Sequence, residues 1–310
     1  MKPLAALLAA FFVGAWLPSG TVRTSDGRPD LQGVWDFRSA TPLERPARFA
    51  GKATLTDEEV RAYEQLALER AEVDGRPPDD ARSAEDQSVH PVWWLDYGKK
   101  VVKTHQTSLV VDPPDGRIPP LTEDGRKRAA ARREAARRHG PADDPENRPL
   151  QERCITWGVP QSLLPGAYNN NLQIVQTPNS VVLFTEMIHN ARVVPMDGSP
   201  HPPAAVRNWG GDPRGHWEGD TLVVDSTNFS DKSNFRGASV NLHLIERFTL
   251  IDQNTLEYRV TLDDPTTWTR PWTIAYPMTR TSDKIYEYAC HEANYGMRNT
   301  LAAARLGDKE

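Results

Sequence analysis

The chain has 310 residues, a net charge of −5, 38% hydrophobic and 25% charged residues, which suits one large or two modest domains. That mild acidity excludes a general attraction to nucleic acid or to an anionic membrane surface. The 26 prolines point to many turns and irregular connections.

Residues 1–20, MKPLAALLAAFFVGAWLPSG, carry Lys2 and an apolar run from Leu4 to Leu17, followed by polar sequence with Pro and Gly. The run has the length of a secretory signal core and is short for a bilayer span. The expectation is a signal peptide cleaved near Ala15 to Gly20, export to the periplasm or beyond, and no stable membrane insertion afterwards. Without a cysteine nearby, a lipid anchor is not expected. Export favours a disulfide between the two cysteines, Cys154 and Cys290, over two buried free thiols.

Residues 21–160 read as an extended and helical region wrapping the rest of the chain. One strand is expected over Leu31 to Phe37, where LQGVW has the character of a first lipocalin strand. A helix follows, with Thr56 and Glu59 forming a capping box. DGRPPDDARSAED is a turn-rich loop. The stretch 99–122 predicts two short strands around a bend. A second helix starts at a Thr122 cap, closes at Gly140 and carries seven Arg or Lys residues from Arg126 to Arg138. Beside the acidic ADDPE, those charges read as a solvated face rather than a nucleic-acid or lipid patch.

Residues 161–310 change character. LQIVQ, VVLFTEMIH, ARVVPM, GHWE, TLVVDSTNF, LHLIERFTL, TLEYRVTLDD, TWTRPWTIAYPM and KIYEYAC read as short strands separated by turns, followed by a short terminal helix. The expected fold is mainly β, an antiparallel lipocalin-like barrel, with a sandwich or jelly roll as the alternative.

The segments SLVVDPPDGRIPPLT, YNNNLQIVQTPNSVVLFTEMIHNARVVPMDG, HWEGDTLVVDSTNF and YEYACHEANYGM together resemble a widespread family of exported bacterial proteins of uncharacterised function. The likeness covers most of the chain after the first segment. It implies kinship and export, and it transfers no catalytic role.

Ionisable residues on apolar strand faces mark where chemistry is expected, because burying them without use or partners is costly. In VVLFTEMIH, alternation puts Val182, Phe184, Glu186 and Ile188 on one face and His189 on the other. Arg192 is the expected partner of Glu186, as a structural pair or as part of an E-x-x-H-x-x-R site. Glu246 shares a row with Leu244, Phe248 and Leu250, while His243 and Arg247 face the other way. Trp268, Arg270, Trp272, Ile274 and Tyr276 form one row, suited to packing or to a binding wall. In KIYEYACHEANYGM, Tyr286, Tyr288, Cys290 and Glu292 share a side, opposite Glu287 and His291. That stretch is either a ligand-binding edge, or a disulfide anchor with a capped helix start. Asn170, in YNNN, suits a polar ligand or a turn.

Zinc-protease, Cys-x-x-Cys, phosphate-loop, nucleophile-elbow and dinucleotide motifs are missing, so no cofactor is expected. His189, His216 and His291, from three separate strands, are the one conceivable zinc set. The leading expectation is an exported enzyme using general acid–base chemistry on a small organic or sugar-like substrate: hydrolysis, elimination or isomerisation. His291 and His189 would move protons, with Glu186, Glu246 and Glu292 as carboxylates. Arg192, Arg247 and Arg270 would steady negative charge, while Trp272, Tyr288 and Asn170 contact the ligand. The alternatives are a lipocalin-like binder of a small ligand, without turnover, and an envelope protein meeting a partner through its basic helix. The first two presume a hollow barrel with a partly charged inner wall.

Overall fold

The computed structural model describes residues 22–74, 96–232, 235–292 and 294–307. The expected signal segment and most of the DGRPPDDARSAED loop lie outside the described residues. Ten strands and three α-helices organise the described residues. In order they are β1 (Gly33–Asp36), α1 (Asp57–Asp74), β2 (Val110–Asp112), α2 (Glu123–Arg138), β3 (Asn171–Gln176), β4 (Ser180–Thr185), β5 (Asn190–Pro195), β6 (Asp212–Glu218), β7 (Thr221–Thr227), β8 (His243–Asp252), β9 (Thr255–Asp263), β10 (Trp272–Thr281) and α3 (Tyr295–Gly307).

The sheet is antiparallel throughout, in the order β5-β4-β3-β1-β10-β9-β8-β7-β6. Two meanders, β3 to β5 and β6 to β10, are spliced by β1. Val34 pairs with Thr281 on one side and Gln173 on the other. β2 continues the same edge of β10, with Val110 opposite Ile274. The barrel thus takes two strands from the segment expected only to wrap it. β5 and β6 pack against each other where the barrel nearly closes. Gly215 permits that approach: a Cβ there would lie 2.8 Å from Val194 Cγ1 and closer still to Met196 Sδ.

Alternation sends Leu244, Glu246, Phe248 and Leu250 inward from β8, and Leu256, Tyr258, Val260 and Leu262 inward from β9. Phe248, Tyr258 and Tyr276 lie in register across three strands. Successive ring centroids are 5.1 and 5.6 Å apart. Trp35 and Trp272 are also fully buried in the same continuous core. The interior is therefore solid, which corrects the expectation of a hollow barrel. A barrel of this size is just wide enough for inward side chains to meet, and among the described residues aromatic rows fill its centre. A short 3-10 turn, Gln161–Leu163, closes one end, with Leu163 buried and its carbonyl accepting from the Tyr276 hydroxyl.

Local signals set the helix starts. The Glu59 amide donates to Thr56 Oγ1 at 3.3 Å, and the Thr56 amide to Glu59 Oε2 at 2.8 Å. At α2, Thr122 Oγ1 accepts from the Gly125 amide at 3.0 Å. Arg128 donates to Thr266 O and Thr267 Oγ1, docking α2 on the loop after β9, while Lys127 pairs with Glu123 and Arg138 with Glu134 along the helix.

Two expected strand patterns differ. Residues 99–122 hold one strand, β2, beside an isolated Thr54–Gln106 bridge. KIYEYAC forms no strand. Both edges of β10 are already occupied, by β9 and by β1 with β2, so the chain leaving Thr281 has no ladder to join. A disulfide, Cys154–Cys290, fastens this segment across a sequence separation of 136. Asn294 Nδ2 donates to Glu152 O at 2.8 Å, and Asn294 Oδ1 caps α3 through the Met297 amide at 3.3 Å. Of the two readings of this stretch, the anchor with a capped helix start describes its geometry.

Candidate functional site

Three polar groupings stand out from the core and the surface. The first is internal. Arg192 on β5 points across the interior to Glu246 on β8, with Nη1 donating to Oε1 at 3.0 Å and Nη2 to Oε2. The Tyr258 hydroxyl donates to Glu246 Oε1 at 3.0 Å. Burial works to lower the Arg192 pKa, but the Glu246 carboxylate outweighs it and holds the guanidinium charged. Burial, then the Glu246 charge, push the Tyr258 and Tyr276 hydroxyls well above the usual phenol value. Arg192 Nε is buried without a hydrogen-bond partner among the described residues.

The second grouping lies on the outer face of β6 to β8. His201 meets a carboxylate oxygen at each ring nitrogen, Nδ1 with Asp212 Oδ2 at 2.6 Å and Nε2 with Asp225 Oδ1 at 3.1 Å. His243 Nε2 meets the same Asp225 oxygen at 2.9 Å. Arg214 braces Asp212 through two bonds of 2.9 and 3.1 Å. Burial works to raise the Asp225 pKa, yet the hydrogen bonds and charges of His243 and His201 carry it below the ordinary carboxylate value. The hydrogen bond that His243 donates to Asp225 leads in raising the His243 pKa, against burial, with further help from the charges of Asp225 and Asp263. His243 is half-buried, and no hydrogen bond engages its Nδ1 among the described residues.

The third is a cleft of about 720 Å³ between the 146–161 segment and Lys232, Phe235 and Arg236. A second cleft, of about 430 Å³, shares Gln161 and Arg236 with it.

The residues expected to form one site are scattered. Glu246 is internal and Trp272 belongs to the core. Arg192 pairs with Glu246 rather than Glu186, a correction to the expected E-x-x-H-x-x-R grouping. β4 ends at Thr185, and the turn beyond it aims Glu186 at Asn171 Nδ2, 2.9 Å away. His189 is exposed, edge-on to Phe184, and its Nδ1 accepts from the Tyr288 amide at 3.1 Å. Burial, with Tyr168 beside it, pushes the Tyr288 hydroxyl up to about 12. Arg247 pairs outside with Glu218 at 2.7 Å. Arg270 precedes β10 and pairs with Asp112 at 2.9 Å, so it does not share the row of Trp272 and Tyr276. Asn170 is buried, with its amide bonded to both Gly166 backbone groups at 2.7 and 3.2 Å. His291 and Glu292 are exposed beside the disulfide.

Among the described residues no three His, Cys, Asp or Glu side chains are grouped to hold a metal, and His216 pairs instead with Glu218 at 3.2 Å. Sequence reasoning missed His201, Asp212 and Asp225. Part of the signal was present: a two-residue Gly219–Asp220 turn sets Arg214 opposite Asp225. The arrival of His201 from a loop carried no such signal. Comparison with protein-family models finds no matching family, and searches of curated proteins and of solved structures find no match to this chain.

Proposed function

We propose that this is an exported enzyme using general acid–base chemistry on a small polar substrate, with Asp225 and His243 as its proton-handling pair. One observation carries the reading: a half-buried carboxylate accepts from two imidazoles, and one of these, His243, keeps a ring nitrogen uncommitted among the described residues. Asp225 orients the His243 ring and stabilises its protonated form, while His201, itself held by Asp212, bonds the same Asp225 oxygen. Protonated, His243 can donate through Nδ1. Above its raised pKa it can accept there. Both residues stand on paired strands, a rigid mount for such a dyad. The disulfide supports an oxidising compartment and hence export. Among the described residues no helix is long and apolar enough to cross a membrane.

The test is a panel of aryl esters, lactones and β-elimination substrates, assayed against pH with the wild type, His243→Gln and Asp225→Asn. For a base, turnover should rise with pH through a midpoint above about 6.5, the ordinary histidine value. His243→Gln should lower the rate by about 10²-fold or more. Asp225→Asn should move the midpoint down, because the charge that holds the proton on His243 is gone. Identical rates for wild type and His243→Gln across the panel would refute the assignment.

A further inference from the structure

We infer that the 720 Å³ cleft beside the Gln161–Leu163 turn is a binding site for a small, multiply charged oxyanion, a polycarboxylate or a phosphate ester. Four cations line it, Arg148, Arg153, Lys232 and Arg236, against one acid, Glu146. Arg148 is already neutralised by Glu152, with bonds of 2.8 and 2.7 Å to its two oxygens. Arg153, Lys232 and Arg236 have no carboxylate within ion-pair distance among the described residues. On a chain with a net charge of −5, three unpaired cations converging on one concavity create a local positive field that attracts an anion of two or three charges.

Two features set these cations in place independently of any ligand. Arg236 has φ 52° and ψ 30°, a left-handed conformation that strains a non-glycine residue. Its neighbour Phe235 is anchored by stacking on Trp272, with centroids 6.1 Å apart. The strained turn holds Arg236 between this cleft and the adjoining one, which it also lines. Arg153 stands next to Cys154, so the disulfide fixes the loop that presents it. Gln161 and Trp157 add neutral donors and a flat face to the same wall. None of these residues belongs to the Asp225–His243 pair, so the two assignments stand or fall separately.

Isothermal titration of the mature chain at low salt, with citrate, glucose 6-phosphate, inorganic phosphate and neutral glucose, tests the site. Citrate or glucose 6-phosphate should bind, weaken as salt rises, and lose about tenfold or more in affinity in the Arg153→Gln/Lys232→Gln/Arg236→Gln variant. Binding by citrate alone assigns the site to polycarboxylates, and binding by the phosphates alone assigns it to phosphate esters. Arg236→Gln by itself serves if the triple variant loses its cooperative melt. Absence of heat with every anion, or affinity unchanged in the variants, overturns the inference.

Discussion

Glu246 is fully buried in a cross-strand row whose other members are Val224, Val260 and Ile274. A charge placed there is tolerable only because Arg192 grips both of its oxygens and Tyr258 adds a third hydrogen bond. Arg192→Met keeps the volume but leaves a buried carboxylate unpaired, and should cost about 3–5 kcal/mol in urea unfolding. Adding Glu246→Leu should recover much of that loss, since an apolar pair of similar size needs no desolvation; an undiminished loss would show that the arginine matters for packing instead. Alternation alone made Glu246 visible in the sequence. Its partner was not visible, because Arg192 reaches it from the far side of the barrel, 54 residues away in the chain.

The weak line of the sheet is the β5–β6 closure, where the two ends of the strand order meet. Close packing there depends on Gly215, and the Arg192–Glu246 pair ties β5 to β8 across the interior. Gly215→Ala should destabilise by about 1–3 kcal/mol through overpacking against Val194 and Met196. Met196→Ala in the same chain should relieve part of it, measured as the shift in denaturation midpoint; no relief would place the strain elsewhere. The helix starts were legible in full, since a capping box is a local contract between residues three apart. The strand count was nearly so. KIYEYAC failed because a strand needs a free edge as well as the right residues, and β10 had none to offer.

Across the molecule, the Cys154–Cys290 bond joins the tail after the barrel to the loop that lines the cationic cleft. In the chain-entropy model, closing so long a loop contributes roughly 4–5 kcal/mol. Cys154→Ser/Cys290→Ser should therefore lower the denaturation midpoint and open residues 282–292 to limited proteolysis while the barrel stays protected; an unaltered cleavage pattern would show that Asn294 and α3 hold the tail unaided. Composition and turn spacing determined that the chain is mainly antiparallel β, that its helices begin at Thr56 and Thr122, and that its two cysteines had a use. These follow from short-range periodicity and from residue types that act where they stand. Only the tertiary structure decided that the barrel is filled, that Arg192 answers Glu246, and that His201 and His243 converge on Asp225. Each of those depends on which strands become neighbours, and strand order is set by long-range closure that no local pattern encodes.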